Sequence, residues 1–274
     1  MILFSRLAER LRSIAAKPAR RAASDRPPQV SDTFNRAAFF AALRGDNLRH
    51  TKESQVTGTE SVLDAMKGMP TSWVAYALAT AWHETGGKMV PVTESLNYSV
   101  AGLLSTFGRH RIRRNDAEFL GRKDGEGPLS LSRQRAIANI VYGGKWGADK
   151  LGNVLPDDGW TYRGRGKVQI TGRVNYSRAQ EATGEPLIEK PELALRDDLS
   201  SCIMVAGMTE GWFAGDKAGR HNLARHLPDA VATGAQFIGA RRIINGQDRA
   251  SNIASLALLF QDALIAGGRN EKAA

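Results

Sequence analysis

Apolar residues recur at intervals of three and four positions through most of the chain after residue 31, which is the spacing of one face of an α-helix. The pattern predicts helices that end at Gly45, near Gly68, and at Glu84, Thr183, Phe213, Ile244 and Ala266. The helix that runs from Trp73 to Glu84 is apolar on nearly every side. We therefore expect it to lie in the centre of a hydrophobic core.

The helical spacing of apolar residues is lost between residues 90 and 98 and again between residues 143 and 172. Eight glycines interrupt the second of these stretches. Within the second stretch, residues 167–171 alternate polar and apolar side chains, which predicts a short strand with Gln169 and Thr171 on one face. No internal repeat is visible at periods of 20 to 50 residues. The sequence predicts a mostly α-helical α+β fold with one small, glycine-rich β element.

The composition narrows the classes of protein to consider. Lys and Arg number 38 against 28 Asp and Glu in 274 residues, a net charge of +10, which points to an anionic partner such as nucleic acid, acidic lipid or wall polymer. The single cysteine, Cys202, excludes an intramolecular disulfide. The longest apolar runs have seven residues, and the apolar start of the chain is too short for a signal peptide, so we expect synthesis in the cytoplasm without one.

Half of the net charge lies in residues 1–30, which hold seven basic and two acidic side chains. Leucines recur there at helical spacing beside arginines, and a basic, proline-containing stretch follows. We predict a basic amphipathic tail and linker at residues 1–30, followed by a catalytic domain at residues 31–270. The tail is typical of a helix that contacts an anionic membrane surface, but a solvated tail or a helix docked on the domain fits as well.

The other half of the charge lies in residues 101–150, where Arg109, His110, Arg111, Arg113 and Arg114 fall within six positions. A surface that binds single-stranded nucleic acid would carry aromatic residues between these basic ones, and the segment has one phenylalanine nearby. We interpret the segment as a solvated basic rim or as a surface that steers an anionic substrate. No nucleic-acid partner is expected.

Glu84 is a candidate general acid. A zinc motif of the form HExxH would need a second histidine where Gly87 stands, so residues 83–87 predict no metal site. Glu84 lies in the last turn of an apolar helix, where the helix dipole and desolvation favour the protonated carboxyl that a general acid needs. The alternative interpretation is an ordinary glutamate at a helix end, paired with an arginine.

Glu94 is a second candidate carboxylate, ten residues after Glu84. A pair of carboxylates in unequal environments is what glycoside hydrolysis requires, one as acid and one as base or stabiliser. Residues 159–172 add aromatic rings, the amide of Gln169 and the hydroxyl of Thr171, side chains that suit a sugar. The same segment does not fit the phosphate-binding loop pattern.

Four segments in this order, residues 83–87, 93–99, 162–172 and 243–246, together resemble glycoside hydrolase family 19. The resemblance covers roughly residues 35–266 and is closest to the phage and prophage endolysins of that family. It implies a lysozyme-like fold of two lobes with the small β element lining an acidic cleft. It also implies inverting hydrolysis of a β-1,4 link to an N-acetylated sugar, without a metal or cofactor.

The resemblance also assigns roles to residues. Glu84 matches the general acid, Glu94 matches the base that activates water, and Thr171 matches the residue that holds that water. The predicted substrate contacts are Gln169, Asn175, Asn245, Tyr162 and Tyr98, and the predicted supporting residues are His83 and Arg165.

Two departures from the family pattern bear on the substrate. Val174 replaces an aromatic residue of chitin-cleaving members, and Gln247 stands where a glycine usually follows Gly246. We therefore expect an endolysin, a muramidase-like enzyme that cuts peptidoglycan as a monomer and lyses the host wall after release into the periplasm. The alternatives are a chitinase acting on N-acetylglucosamine oligomers and a virion-associated wall-degrading module.

Overall fold

The computed structural model describes residues 34–45, 48, 52–213, 219–244 and 246–269. The predicted tail at residues 1–30 therefore lies outside the described residues. In the described ranges the α-helices are α1 Arg36–Gly45, α2 Glu53–Ala65, α3 Thr71–Glu84, α4 Val100–Phe107, α5 Arg114–Leu120, α6 Leu131–Val141, α7 Gly144–Leu151, α8 Asp158–Thr161, α9 Arg173–Thr183, α10 Asp197–Glu210, α11 Leu223–His226, α12 Gly234–Ala240 and α13 Ala250–Ala266. Short 3₁₀ helices occur at Pro191–Leu195 and Arg241–Ile243, and the strands are β1 Val92–Thr93 and β2 Arg165–Gly166.

The chain forms two compact units. The first consists of the described parts of Met1–Val90 and Ser201–Ala274, and the second is Pro91–Ser200. Helices dominate, and β1 and β2 form a small two-stranded sheet. This confirms the prediction of a mostly α-helical, lysozyme-like α+β fold. In the part of the chain that the structure describes, no helix is long and apolar enough to cross a membrane.

Helix α3 forms the centre of the first unit. Every residue from Thr71 to Ala81 is buried, because apolar and small side chains surround the whole helix. Helix α13 packs along α3, and the rings of Trp82 and Phe260 meet edge to face with their centroids 6.3 Å apart. The expectation that this helix lies in the core is confirmed.

Helix α2 holds the turn that follows α3. Gly58 lies against the backbone of Met89 so closely that a β-carbon at position 58 would be 2.1 Å from the Met89 carbonyl oxygen. The Gln55 side chain donates from Nε2 to the Gly87 carbonyl oxygen at 2.8 Å. These contacts fix the path of residues 85–89 directly after Glu84.

The second unit is built around the small sheet and a helical core. Strands β1 and β2 are antiparallel, with Val92 opposite Gly166 and Thr93 opposite Arg165. Helices α4, α5 and α6 enclose a cluster of buried side chains that includes Leu103 and Phe107. This arrangement places the residue after β1, Glu94, next to β2.

The predicted strand at residues 167–171 is wrong in position. The strand is Arg165–Gly166, the chain turns at residues 167–169, and Ile170 returns to form an antiparallel bridge with Arg165. Lys167 is fully buried, and its Nζ lies 2.8 Å from Asp197 Oδ1. The alternation therefore does not separate a solvent face from a core face, which is the assumption that the strand prediction needs.

The seven predicted helices are confirmed as α1, α2, α3, α9, α10, α12 and α13. Their ends differ from the predicted ones by a few residues. The largest difference is at Ile244, because α12 ends at Ala240 and Arg241–Ile243 continues as a 3₁₀ helix.

Candidate active site

Glu84 is the last residue of α3, and a buried arginine holds it. Arg241 donates from Nη1 to Glu84 Oε1 at 3.0 Å, and the two side chains are 2% and 22% exposed. Arg241 in turn donates from Nε to the carbonyl oxygen of Asp248 at 2.9 Å. Glu84 is thus paired with an arginine, as the second interpretation of the sequence expected. The pair orients Oε1, and Oε2 has no hydrogen-bond partner among the described residues.

Two buried side chains with hydroxyl groups, Tyr76 and Thr80, precede Glu84 on α3. Tyr76, Thr80 and Glu84 follow one another at intervals of four along α3, so they lie on one face of the helix. Burial raises the pKa of Tyr76, with the Glu84 charge adding to the rise and the Arg241 charge opposing it. Tyr76 therefore stays a neutral phenol near the Glu84–Arg241 pair.

Glu94 follows β1 in the second unit, and the fold engages both of its carboxylate oxygens. Tyr142 donates from Oη to Oε1 at 2.5 Å, and the Gly164 amide donates to Oε2 at 3.1 Å. The Glu94 amide also donates to the Gly164 carbonyl oxygen at 2.8 Å. A β-carbon at position 164 would be 3.1 Å from Glu94 Cβ and 2.8 Å from Gln169 Oε1, so glycine at position 164 allows the backbone to approach Glu94 this closely.

The surroundings of Glu94 give it a stronger affinity for a proton than an ordinary glutamate has. Burial raises the pKa of Glu94, while hydrogen bonds from Tyr142 and Gly164 and the charges of Arg111 and Arg163 oppose the rise. Burial and the Glu94 charge raise the pKa of Tyr142, which keeps its hydroxyl as a donor. A carboxylate of this kind suits the acceptance of a proton from water.

Arg111 differs from the other arginines of the basic segment in its surroundings. Its guanidinium carbon lies 4.7 Å, 5.1 Å and 4.0 Å from the ring centroids of Phe107, Tyr142 and Trp146. Its Nε donates to the Val141 carbonyl oxygen at 2.9 Å. By contrast, the other three arginines of the segment, Arg109, Arg113 and Arg114, are exposed, as a solvated basic rim requires. Arg111 instead acts electrostatically on Glu94.

Hydrogen bonds link three of the predicted site residues in the second unit. Thr171 donates from Oγ1 to the Gln169 carbonyl oxygen at 2.9 Å, and Asn175 donates from Nδ2 to the Thr171 carbonyl oxygen at 3.0 Å. Gln169 has a positive φ of 53° and donates from Nε2 to the Val92 and Gly166 carbonyl oxygens. The structure therefore brings Gln169, Thr171 and Asn175 together and uses both amide nitrogens to hold backbone.

Two other predicted residues serve the interior of the second unit. The Tyr162 side chain is buried, and its hydroxyl donates to the Ile188 carbonyl oxygen at 3.1 Å. The Tyr162 side chain therefore packs inside the second unit, and its substrate contact stays a prediction from the sequence. Arg165 is also buried and donates from Nη1 to the Thr161 carbonyl oxygen and to the Tyr176 hydroxyl, which fits a supporting role.

The remaining predicted residues lie in different places. Tyr98 is half-buried, and its ring meets Phe107 edge to face at 5.2 Å. The Glu94 charge adds to the effect of burial in raising the pKa of Tyr98. His83 is half-buried at the wall of an open cavity in the first unit. Asn245 lies outside the described residues.

The sequence interpretation missed three residues that act on the two glutamates. Arg241 lies just before the segment at residues 243–246, and that position was the one signal that could have identified it. Tyr142 lies 48 residues from Glu94, and nothing in the sequence links the two. Arg111 looked like the other arginines of its segment until its ring contacts were known. Among the described residues, no cluster of three or more His, Cys, Asp or Glu could hold a metal ion.

Comparison with known proteins supports the resemblance drawn from the four segments. The chain is 38% identical over 128 residues to a glycosyl hydrolase family 19 domain-containing protein of Haemophilus influenzae. The match covers 46% of this chain and 56% of that protein, so the chain spans little more than half the length of the relative. No protein-family model matches the chain.

Proposed function

We propose that this protein is a glycoside hydrolase that cleaves β-1,4 bonds of peptidoglycan, an endolysin of the muramidase type. One observation carries the proposal. Each of the two glutamates in the family-like segments is partly buried, and a side-chain donor from elsewhere in its own unit holds one of its oxygens: Arg241 holds Glu84 and Tyr142 holds Glu94. The similarity to a family 19 domain-containing protein supports the reaction class.

The proposed reaction gives the two carboxyl groups opposite roles in proton transfer. Glu84 donates a proton to the glycosidic oxygen as the bond to the anomeric carbon breaks. Glu94 accepts a proton from the water that attacks the opposite face of that carbon, so the product has inverted configuration. Thr171 accepts a hydrogen bond from that water and orients it. No metal or cofactor takes part in the proposal.

The surface near Asn175 favours peptidoglycan over chitin. Val174 is 42% exposed on α9, at the position where chitin-cleaving relatives carry an aromatic residue. An exposed valine offers no ring on which an N-acetylglucosamine unit could stack. The net charge of +10 also suits an anionic wall polymer better than neutral chitin.

The products identify the substrate and the bond. Purified peptidoglycan and chitin hexamers are digested separately, and the soluble products are analysed by mass spectrometry after borohydride reduction. New reducing ends at muramic acid support the muramidase proposal, and reducing ends at glucosamine make the enzyme a glucosaminidase. Cleavage of chitin hexamers with no release from peptidoglycan would replace the proposal with the chitinase alternative.

The location and assembly that we propose follow from the sequence. The protein is made in the host cytoplasm and acts as a monomer on the wall in the periplasm, and residues 1–30 contact an anionic membrane or wall surface. Deletion of residues 1–30 tests the role of the tail: membrane association should fall while hydrolysis of purified wall is kept. If deletion instead removes the protein from phage particles, the virion-associated alternative is favoured.

A further inference from the structure

An open cavity lies beside residues 83–87 in the first unit. Its volume is about 440 Å³, within the range of small-molecule sites, and it lies between the C-terminal end of α3 and the N-terminal half of α13. His83 and Gly86 contribute to its wall. The cavity therefore lies beside the end of α3, where Glu84 is the last residue. None of the residues assigned above to the reaction itself lines it.

The apolar wall of the cavity is formed by Trp82, Leu256 and Leu259. The Trp82 ring meets the Phe260 ring edge to face, and Gly87 lies close to it. A β-carbon at position 87 would be 3.2 Å from the Trp82 ring, and the φ of Gly87, 76°, also favours glycine. An aromatic wall is suited to the apolar face of a sugar ring.

The polar wall comes from the start of α13 and the residue before it. Asn252 and Ser255 lie three positions apart on α13, Arg249 immediately precedes the helix, and all three side chains are exposed. Among the described residues, Arg249 has no ion pair with an acidic side chain. It also precedes the first turn of a 17-residue helix, whose dipole adds to the positive potential there. The cavity therefore combines an aromatic wall, an amide, a hydroxyl and one positive charge.

We propose that this cavity binds a peptidoglycan sugar that carries its stem peptide, with Trp82 packing on the sugar and Arg249 pairing with a peptide carboxylate. The inference rests on the proposed function, because the ligand is part of the same glycan strand. Charge complementarity selects this occupant: a chitin unit offers the same ring and acetamido group but has no carboxylate for Arg249. The cavity would thus add selectivity for peptidoglycan beside the acid.

Binding to insoluble polymers tests the proposal without turnover. Purified sacculi and chitin beads are incubated with the Glu84→Gln protein, alone and combined with Arg249→Gln, Ser255→Trp or Arg225→Gln, and the free protein is measured. Arg225 is exposed and lies outside the cavity, so its substitution is the charge-matched control. Circular dichroism confirms that each variant is folded.

Arg249→Gln should weaken binding to sacculi about tenfold, the ratio that one charge-assisted hydrogen bond provides, and leave chitin binding unchanged. Ser255→Trp fills the cavity and should weaken binding to both polymers, while Arg225→Gln should change neither. Equal losses from Arg249→Gln and Arg225→Gln would show general charge attraction and overturn the proposal. Unchanged binding in both Arg249→Gln and Ser255→Trp would also overturn the cavity proposal. Hydrolysis of sacculi by the wild-type enzyme tests the proposed function separately, so that function survives if hydrolysis is seen while the cavity proposal fails.

Discussion

Arg241 Nη1 lies 3.0 Å from Glu84 Oε1, and this contact joins a buried guanidinium to a partly exposed carboxylate at the end of α3. A 3₁₀ helix of three residues presents Arg241, and a second hydrogen bond to the Asp248 carbonyl oxygen fixes its orientation. The contact therefore pairs the buried charge of Arg241, and it also sets the direction of the Glu84 carboxyl group.

Arg241→Gln should lower the free energy of unfolding by about 2 kcal/mol at pH 7. Loss of one partner of a fully buried ion pair lowers the free energy of unfolding by more than this value. Here the loss is smaller, because Glu84 is 22% exposed and water screens part of its charge. Urea unfolding of the wild type, both single variants and Glu84→Gln/Arg241→Gln measures the coupling, which we expect to be about 1 kcal/mol. Strictly additive effects would show that the contact is not energetically coupled.

Tyr142→Phe should shift the acid limb of the pH profile of kcat/KM to higher pH. The hydrogen bond from Tyr142 opposes the rise that burial causes in the pKa of Glu94, so its removal raises that pKa further. The base must be ionised, and activity is lost as the pH falls through its pKa. The same variant should also lose activity at neutral pH when the shifted limb reaches that range.

The control for this pH profile is Tyr162→Phe, which removes a buried hydroxyl that donates to Ile188 and does not touch Glu94. Its acid limb should coincide with that of the wild type. An acid limb in Tyr142→Phe that stays in place or moves to lower pH would contradict the assignment of Glu94 as the base that Tyr142 tunes.

Gly58→Ala should destabilise the protein by about 3 kcal/mol, although alanine is the better helix former by about 1 kcal/mol. The added β-carbon would meet the Met89 carbonyl oxygen at 2.1 Å and displace the turn after Glu84. Gly239→Ala in α12 is the matched control, because its β-carbon would meet ordinary contacts from 3.8 Å and should raise stability. Thermal unfolding compares the two. A stabilised Gly58→Ala would contradict the close approach of α2 to this turn.

The sequence predicts the long helices well. Helix α13 shows apolar positions at helical spacing, α3 is apolar on nearly every side along its length, and glycines mark the ends of α1 and α9. Helices α4 to α8 and α11 are not among the predicted ones. Helix α6 has 11 residues, but the others have four to eight, and glycines interrupt several of the segments between them. Propensity is a weak guide over such lengths, where tertiary packing decides the structure.

In the candidate site, too, some residues could be predicted from the sequence and others could not. Glu84 and Glu94 were identified from local motifs and chemistry, whereas their partners come from elsewhere in the chain. Arg241 is 157 residues from Glu84 and Tyr142 is 48 residues from Glu94. The burial of Tyr162 could not be predicted either: its motif position predicts a substrate contact, and the fold buries its ring and pairs its hydroxyl with the Ile188 carbonyl oxygen. Burial of this kind depends on packing that a single sequence does not display.

The proposed role of Glu84 is tested most directly by the release of reducing ends from purified peptidoglycan by the wild type and by Glu84→Gln, measured beside their thermal unfolding. The wild type should release reducing ends. Glu84→Gln keeps the shape of the side chain but has no proton to donate, so it should release at least about a thousandfold fewer, with an unfolding temperature within a few degrees of the wild type. Near wild-type release by a folded Glu84→Gln protein would contradict the assignment of Glu84 as the general acid.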